Sequence, residues 1–293
     1  MKRIFVLLSF TLFIVIGLWW AKPTLLFAVQ STITESEGYA CMGEDKSKKQ
    51  TEQAAMADSK RKAVESVSTY IKSETHVKDF ELEKDLVSAY ANAAVKIIQE
   101  LEKGWYKDAS AGDCFKIRIK AEVIPDEKEM EKVAKSKQVA DDPSAPLNIN
   151  VWTDKKEYKN SEKIKIYIKG NKPFYARVVY KDAGGQLVQL LPNPYRTNNY
   201  FNGGVIYEIP SGEDRFELEV SPPFGSEGII VYASSSQVGE IDLKPSGGVY
   251  EIKTKAKDIG DKTRGVVIAE KGADKKTPSE FSEVAVDVKT VER

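Results

Sequence analysis

The sequence predicts an α+β protein in which a small α/β unit precedes an antiparallel β-sandwich. One observation is a helical period: Met56, Lys60, Ala63, Val67 and Tyr70 step by four, three, four and three, with Ala57, Val64 and Ile71 alongside. That spacing puts an apolar face on a helix of about 25 residues. A second is Phe115 to Val123, where apolar residues hold odd positions and Lys116, Arg118, Lys120 and Glu122 hold even ones, as in a half-buried strand. The third is a change of period after Leu147, from which short apolar runs alternate and turn residues separate them.

Met1-Lys2-Arg3 is a basic start and Ile4 to Trp20 carries no charge, so residues 1–28 read as a secretory signal. The same run touches the lower length limit of a transmembrane helix, with Trp19 and Trp20 at the far interface, so an uncleaved inner-membrane anchor is the alternative. Either way the chain is expected in the periplasm or cell envelope.

Residues 32–125 form the first expected unit. Tyr39 to Met42 ends a strand, and Ser47 with Gln50 makes a capping box that opens the long helix. Leu82, Leu86 and Tyr90 mark a second, short helix. Val95 to Leu101 fits either a helix or a strand; strand is preferred, because Gly104 to Gly112 then becomes a hairpin loop leading into Phe115 to Val123. Asp126 to Asp142 holds 10 charged residues in 17, and Pro143-Ser144-Ala145-Pro146 follows, so 126–146 reads as a charged linker, helical or mobile.

Residues 147–236 carry the expected sandwich. Leu147, Ile149 and Val151 alternate, as do Ile164, Ile166 and Ile168, and Phe216, Leu218 and Val220. Ile229-Ile230-Val231 reads as a strand buried on both faces. Residues 237–293 are expected to complete the sandwich, with strands at Val249 to Lys255, Val266 to Ala269 and Val284 to Val288 and a helical turn near Lys255 to Lys262.

Charge and composition exclude several functions. The 44 basic residues balance 44 acidic ones, which argues against a nucleic-acid partner, since such proteins concentrate Lys and Arg. One His and two Cys are too few for most zinc sites, and no metal or cofactor is expected. Two cysteines in an exported chain fit a disulfide, Cys41 to Cys114, against the alternative of two buried thiols. Cys114 shares parity with the charged residues of its strand, so it is expected on the polar side, within reach of oxidant. Ser59-Lys60-Arg61-Lys62 matches Ser-x-x-Lys, but neither Ser-Asp-Asn nor Lys-Thr-Gly follows. His76 reads as a histidine at the end of the long helix. The chain is therefore expected not to be an enzyme.

Tyr180-Lys181-Asp182-Ala183-Gly184-Gly185, Leu190-Leu191-Pro192-Asn193 and Ile209-Pro210 together resemble an uncharacterised bacterial domain, DUF4384. The resemblance covers about residues 147–236 and implies an immunoglobulin-like sandwich; it implies no activity. Glu37-Gly38-Tyr39-Ala40, the Ala-rich helix, Tyr106 and Phe115 to Val123 resemble the small α/β domain of LPP-type lipoproteins and of a flagellar outer-ring protein. The lipidated cysteine of the lipoproteins has no counterpart here.

The candidate binding residues are Tyr195, Arg196, Asn198, Asn199, Tyr200 and Phe201, in the loop that ends at Asn202. Rigid aromatics supply area and amides supply adaptable hydrogen bonds, a composition suited to recognition; the bland alternative is that Tyr200 or Phe201 plugs the end of the sandwich. The expected function is a non-enzymatic envelope protein that binds an envelope protein partner, with a glycan-binding module as the alternative.

Overall fold

The computed structural model describes residues 29–75, 80–135, 141–265 and 278–293. Residues 1–28, His76 and the expected strand at Val266 to Ala269 lie outside the described residues. In chain order the elements are β1 (Val29–Cys41), α1 (Lys48–Thr75), α2 (Phe80–Ala91), β2 (Ala94–Asp108), β3 (Gly112–Ile124) and α3 (Glu127–Lys135). Then come β4 (Ile149–Thr153), β5 (Glu157–Lys159), β6 (Ile166–Gly170), β7 (Phe174–Lys181), β8 (Leu187–Leu191), β9 (Tyr200–Phe201), β10 (Tyr207–Ile209) and β11 (Ser226–Ser234). The chain continues with β12 (Leu243–Ser246), β13 (Val249–Ile252), α4 (Ala256–Gly265) and β14 (Ser279–Val291). Among the described residues no helix is long and apolar enough to cross a membrane.

The fold is mostly antiparallel β. An 11-stranded sheet runs β12-β13-β8-β7-β11-β14-β1-β3-β2, with β5 parallel to β14 and β9 beside β7, and β10-β6-β4 form a second sheet of three strands. One core takes Ile149, Ile166, Ile168 and Ile209 from the small sheet and Phe174, Val178, Ile229, Val231 and Val288 from the large one. A second core sits between α1, α2 and the β1-β3 part of the large sheet, and a third joins Ile33, Val179, Tyr232, Ile252, Ile259 and Phe281.

Local rules explain α1. The Ser47 amide donates to Gln50 Oε1 at 2.8 Å and the Gln50 amide to Ser47 Oγ at 3.3 Å, the reciprocal bonds of the expected capping box. The fully buried stripe is Thr51, Ala55, Ser59, Ala63, Val67 and Ile71, all small or β-branched, while Met56 and Lys60 flank it half-buried. Gly38 accounts for the small residues: a Cβ there would lie 2.1 Å from the Ala55 carbonyl oxygen, so helix and strand touch backbone to backbone. Ser36 Oγ donates to the Ser59 carbonyl at 2.8 Å across this contact.

Several expectations change. The β2-β3 connection is shorter than Gly104 to Gly112, because Gly104 to Asp108 continue the ladder and the Asp108 carboxylate accepts the amides of Ser110 and Ala111 to close a tight turn. Phe216 to Val220 keeps its alternation but is no strand; it follows the 161–164 segment through the bonds Ile164 N to Leu218 O and Val220 N to Glu162 O, at 2.8 and 2.9 Å, and one bridge. The described part of 126–146 is packed: α3 covers Glu127–Lys135, Ala145 is buried, and Asn171 Nδ2 donates to the carbonyls of Asp142, Ala145 and Pro146.

β14 joins the two halves of the large sheet. Its Ser279 to Glu283 pair with β1 while Phe281 to Lys289 pair with β11. Two buried carboxylate clusters flank the join. Glu280 accepts the Leu147 amide at 2.6 Å, Lys172 Nζ at 3.0 Å and the Tyr70 hydroxyl at 3.2 Å. On the opposite parity, Arg264 lies between Glu122 at 2.7 Å and Glu283 at 3.2 Å, with its guanidinium 4.2 Å over the Phe281 ring. Ser31 Oγ donates to Glu122 at 2.6 Å.

Cys41 and Cys114 are bonded and face each other directly in the β1-β3 register. Cys114 is fully buried rather than oxidant-accessible, because Cys41 on β1 and Tyr106 on β2 stand directly opposite it and flank its side chain on the same face. Replacing both cysteines with Ser is expected to lower unfolding stability by up to about 4 kcal/mol, the chain-entropy figure for a loop of this size, as read from urea denaturation.

Burial holds the Glu283 carboxyl above the usual glutamate range; Arg264 opposes this shift and Glu122 adds to it. The folded chain therefore holds this proton more tightly than the unfolded chain, so its contribution to stability is complete below the ordinary pKa of about 4.3 and is lost as pH rises above it. Glu283→Gln is expected to have a higher Tm than the parent at neutral pH, with the difference fading as pH falls to about 4. A Tm difference that is flat with pH would show that burial of the charge is not the cause.

Candidate functional site

Asn193 builds the loop. It is buried; its Nδ2 donates to the Leu190 carbonyl at 2.7 Å and its Oδ1 accepts the amides of Tyr195 and Arg196, each at 2.8 Å. An Asn side chain that takes the place of backbone partners in this way fixes a tight turn without a strand ladder. Gln189 supports the preceding peptide, donating to the Pro192 carbonyl at 2.7 Å. Arg177 holds Gln189 in turn: its Nε donates to Gln189 Oε1 at 2.8 Å, while its Nη atoms donate to Thr263 Oγ1 and the Gly239 carbonyl at 2.7 and 2.8 Å. Burial pushes this guanidinium down to about 10.

The six expected binding residues divide into supports and exposed groups. Arg196 points inward to Asp214 at 3.0 Å, and its guanidinium lies 5.5 Å from the centre of the Phe201 ring. Phe201 is wholly buried, stacked on Phe174 at 5.1 Å and edge-on to Tyr207 at 4.9 Å, so it is the plug of the bland reading and not a surface contact. Asn199 Nδ2 donates to the Ala176 carbonyl at 3.1 Å, and Asn198 Oδ1 accepts the Tyr200 amide at 3.0 Å. Tyr195 and Tyr200 remain 52% and 42% exposed. They do not share a ring partner: Tyr200 lies 5.1 Å from Tyr175, and Tyr195 lies 6.4 Å from Phe216.

Tyr195 borders a pocket of about 220 Å³ whose lining includes Asn193, Arg215, Phe216, Gly248 and Val249. Gly248 has φ +90, a conformation that favours glycine, and its missing Cβ lets the Tyr195 hydroxyl close over it, since a Cβ there would lie 2.7 Å from that oxygen. Arg215 is exposed and, among the described residues, pairs with no carboxylate. The pocket therefore offers an aromatic wall and a free guanidinium. Sequence reasoning missed Arg215 and Gly248 because both lie far from the loop along the chain. Among the described residues no group of three His, Cys, Asp or Glu side chains is placed to hold a metal.

A family model described as "Domain of unknown function (DUF4384)" matches residues 157–237. These residues form a DUF4384-like domain. No curated protein and no solved structure matches the chain. The DUF4384-like domain contains the whole loop together with Arg215 and Phe216, whereas Gly248 and Val249 of the β12-β13 hairpin lie beyond the match.

Asn193→Ala removes three buried hydrogen bonds to backbone groups, and is expected to lower stability by about 2–4 kcal/mol in urea titration. Tyr195→Ala, at an exposed position, is expected to change it by less than about 0.5 kcal/mol. Equal losses in the two variants would show that the ring, too, is a structural support.

Proposed function

We propose that this chain is a non-enzymatic protein of the cell envelope that captures a protein partner through its DUF4384-like domain. In this reading residues 1–28 direct export, 32–125 act as a small α/β domain, 126–146 connect it onward, and the immunoglobulin-like sandwich of 147–236 is completed by 237–293. Tyr195 carries the proposal. It is an exposed aromatic on a backbone that Asn193 holds rigid, and it borders a pocket with an unpaired Arg. Tyr and Arg are enriched among residues whose truncation costs most at interfaces, and a preformed backbone reduces the ordering cost of binding.

Tyr195→Ala combined with Arg215→Ala is expected to leave Tm nearly unchanged and to weaken capture of the cross-linked envelope partner at least about tenfold, equivalent to about 1.4 kcal/mol. Capture at the parent level by the folded double variant would exclude this surface.

A further inference from the structure

The outer face of the three-stranded sheet carries two neighbouring aromatic rings, separate from the Tyr195 pocket. In this sheet Ile149, Ile166, Ile168 and Ile209 point into the core, so the residues of opposite parity face outward. Trp152 stands directly across from Tyr167, and Tyr167 directly across from Glu208. The Trp152 and Tyr167 rings are parallel to within 16° with centroids 5.6 Å apart, and Trp152 is 36% exposed. In the next row Asn150 stands opposite Lys169, and Ile206, 58% exposed, directly precedes β10.

We propose that this face binds an uncharged pyranose oligosaccharide. The exposed side of an aromatic ring carries the negative part of its quadrupole and attracts the polarised C–H groups on the flat side of a sugar ring. A hydroxyl partner is at hand in the exposed Asn150 amide, two residues along β4 from Trp152 and so about 7 Å away, the scale of one pyranose, while the Glu208 oxygens are taken by Lys165 and by the Tyr167 hydroxyl at 3.3 Å. The charges select a neutral ligand. Lys165 is paired with Glu208, and Lys169 with Asp141 at 2.6 Å, so neither lysine is left to attract an acidic group. A protein partner fits less well, because a stable interface buries about 1,200–2,000 Å² around a dry apolar centre, and here the apolar groups are two rings and one Ile among paired charges.

The test uses cellohexaose and N-acetylchitohexaose as neutral probes and hexagalacturonate as an acidic one, titrated into the full chain by calorimetry and followed by saturation-transfer NMR. At least one neutral probe is expected to bind, with transfer from the protein to its ring C–H protons, and Trp152→Ala is expected to weaken that binding at least about tenfold. Tyr195→Ala is expected to bind like the parent, so failure here and failure of the protein-capture reading are told apart. If circular dichroism shows that Trp152→Ala does not fold, Asn150→Ala, at an exposed side chain, is required to weaken binding several-fold. The proposal is overturned by absence of transfer to both neutral probes, by preference for hexagalacturonate, or by parent-level affinity in the folded Trp152→Ala variant or, in its place, in Asn150→Ala.

Discussion

Glu280 is a carboxylate taken almost wholly out of water, and its position is fixed by the donors it must have. Removing an ion of this kind from water costs several kcal/mol unless charge and hydrogen bonds replace the lost solvation. Here the replacements come from three parts of the chain: the Tyr70 hydroxyl of α1, the Leu147 amide that leads into β4, and the Lys172 ammonium between β6 and β7. No one of these segments can shift without leaving a buried charge short of a partner. The helix layer, the small sheet and the large sheet are therefore placed relative to one another by a single side chain. The Tyr70 hydroxyl shows the reciprocal effect, since burial and then the Glu280 charge hold its proton more firmly than usual.

The loop Tyr195 to Asn202 depends on the same frame at one remove. β7 contributes Arg177, whose three bonds to uncharged acceptors lock Gln189 and so the Pro192 carbonyl, and β7 also holds the Asn199 backbone through Ala176. Asn193 then sets the turn, and Asp214 pulls Arg196 away from solvent. The outcome is a division of labour within eight residues. Arg196, Asn199 and Phe201 hold the loop, which leaves the exposed tyrosines with little conformational freedom to lose on binding.

How much of this was legible follows from the range of each interaction. The capping box at Ser47, the strand at Ile229 to Val231 and the bonding of Cys41 to Cys114 rest on short periods or on there being two cysteines to pair, and the sequence carries them. Phe115 to Val123 is a strand as its period implies, but it is not half-buried throughout, because Lys120 and Glu122 on its polar parity are buried as well. The strand content of Val95 to Leu101 was ambiguous, because its apolar spacing serves both periods, and only its pairing with β3 decides it. Loop composition cannot show that Arg196 turns inward to Asp214, 18 residues away, and it leaves Phe201 open between surface contact and plug until Phe174, 27 residues away, decides for the plug. β14 is legible only in part: Val284 to Val288 alternate as expected of a strand, whereas its start at Ser279 and its pairing with β1, about 250 residues away, leave no local signal. Trp152 did leave one, as an aromatic residue on the polar parity of an alternating run.

The two surfaces stand on opposite sheets of one core, and this has a consequence for how they can act together. Tyr195 rests on the loop that follows β8 in the large sheet, while Trp152 and Tyr167 belong to β4 and β6 in the small one. Interiors packed at crystal density transmit displacement, and the supports of the two surfaces meet at Tyr207 of β10, whose hydroxyl accepts the Asn202 amide at 3.0 Å and whose ring meets Phe201 edge-on. Coupling between two ligands requires each to bias the same two-state element, and one hydrogen bond with one ring contact is not by itself such an element. If a partner at Tyr195 and a glycan at Trp152 bind independently, the gain from having both would be one of effective concentration: a chain held on a glycan would present its pocket to a partner at a fixed place. A rigid frame suits that role, because a tether that flexed between its two surfaces would dilute the local concentration it exists to provide.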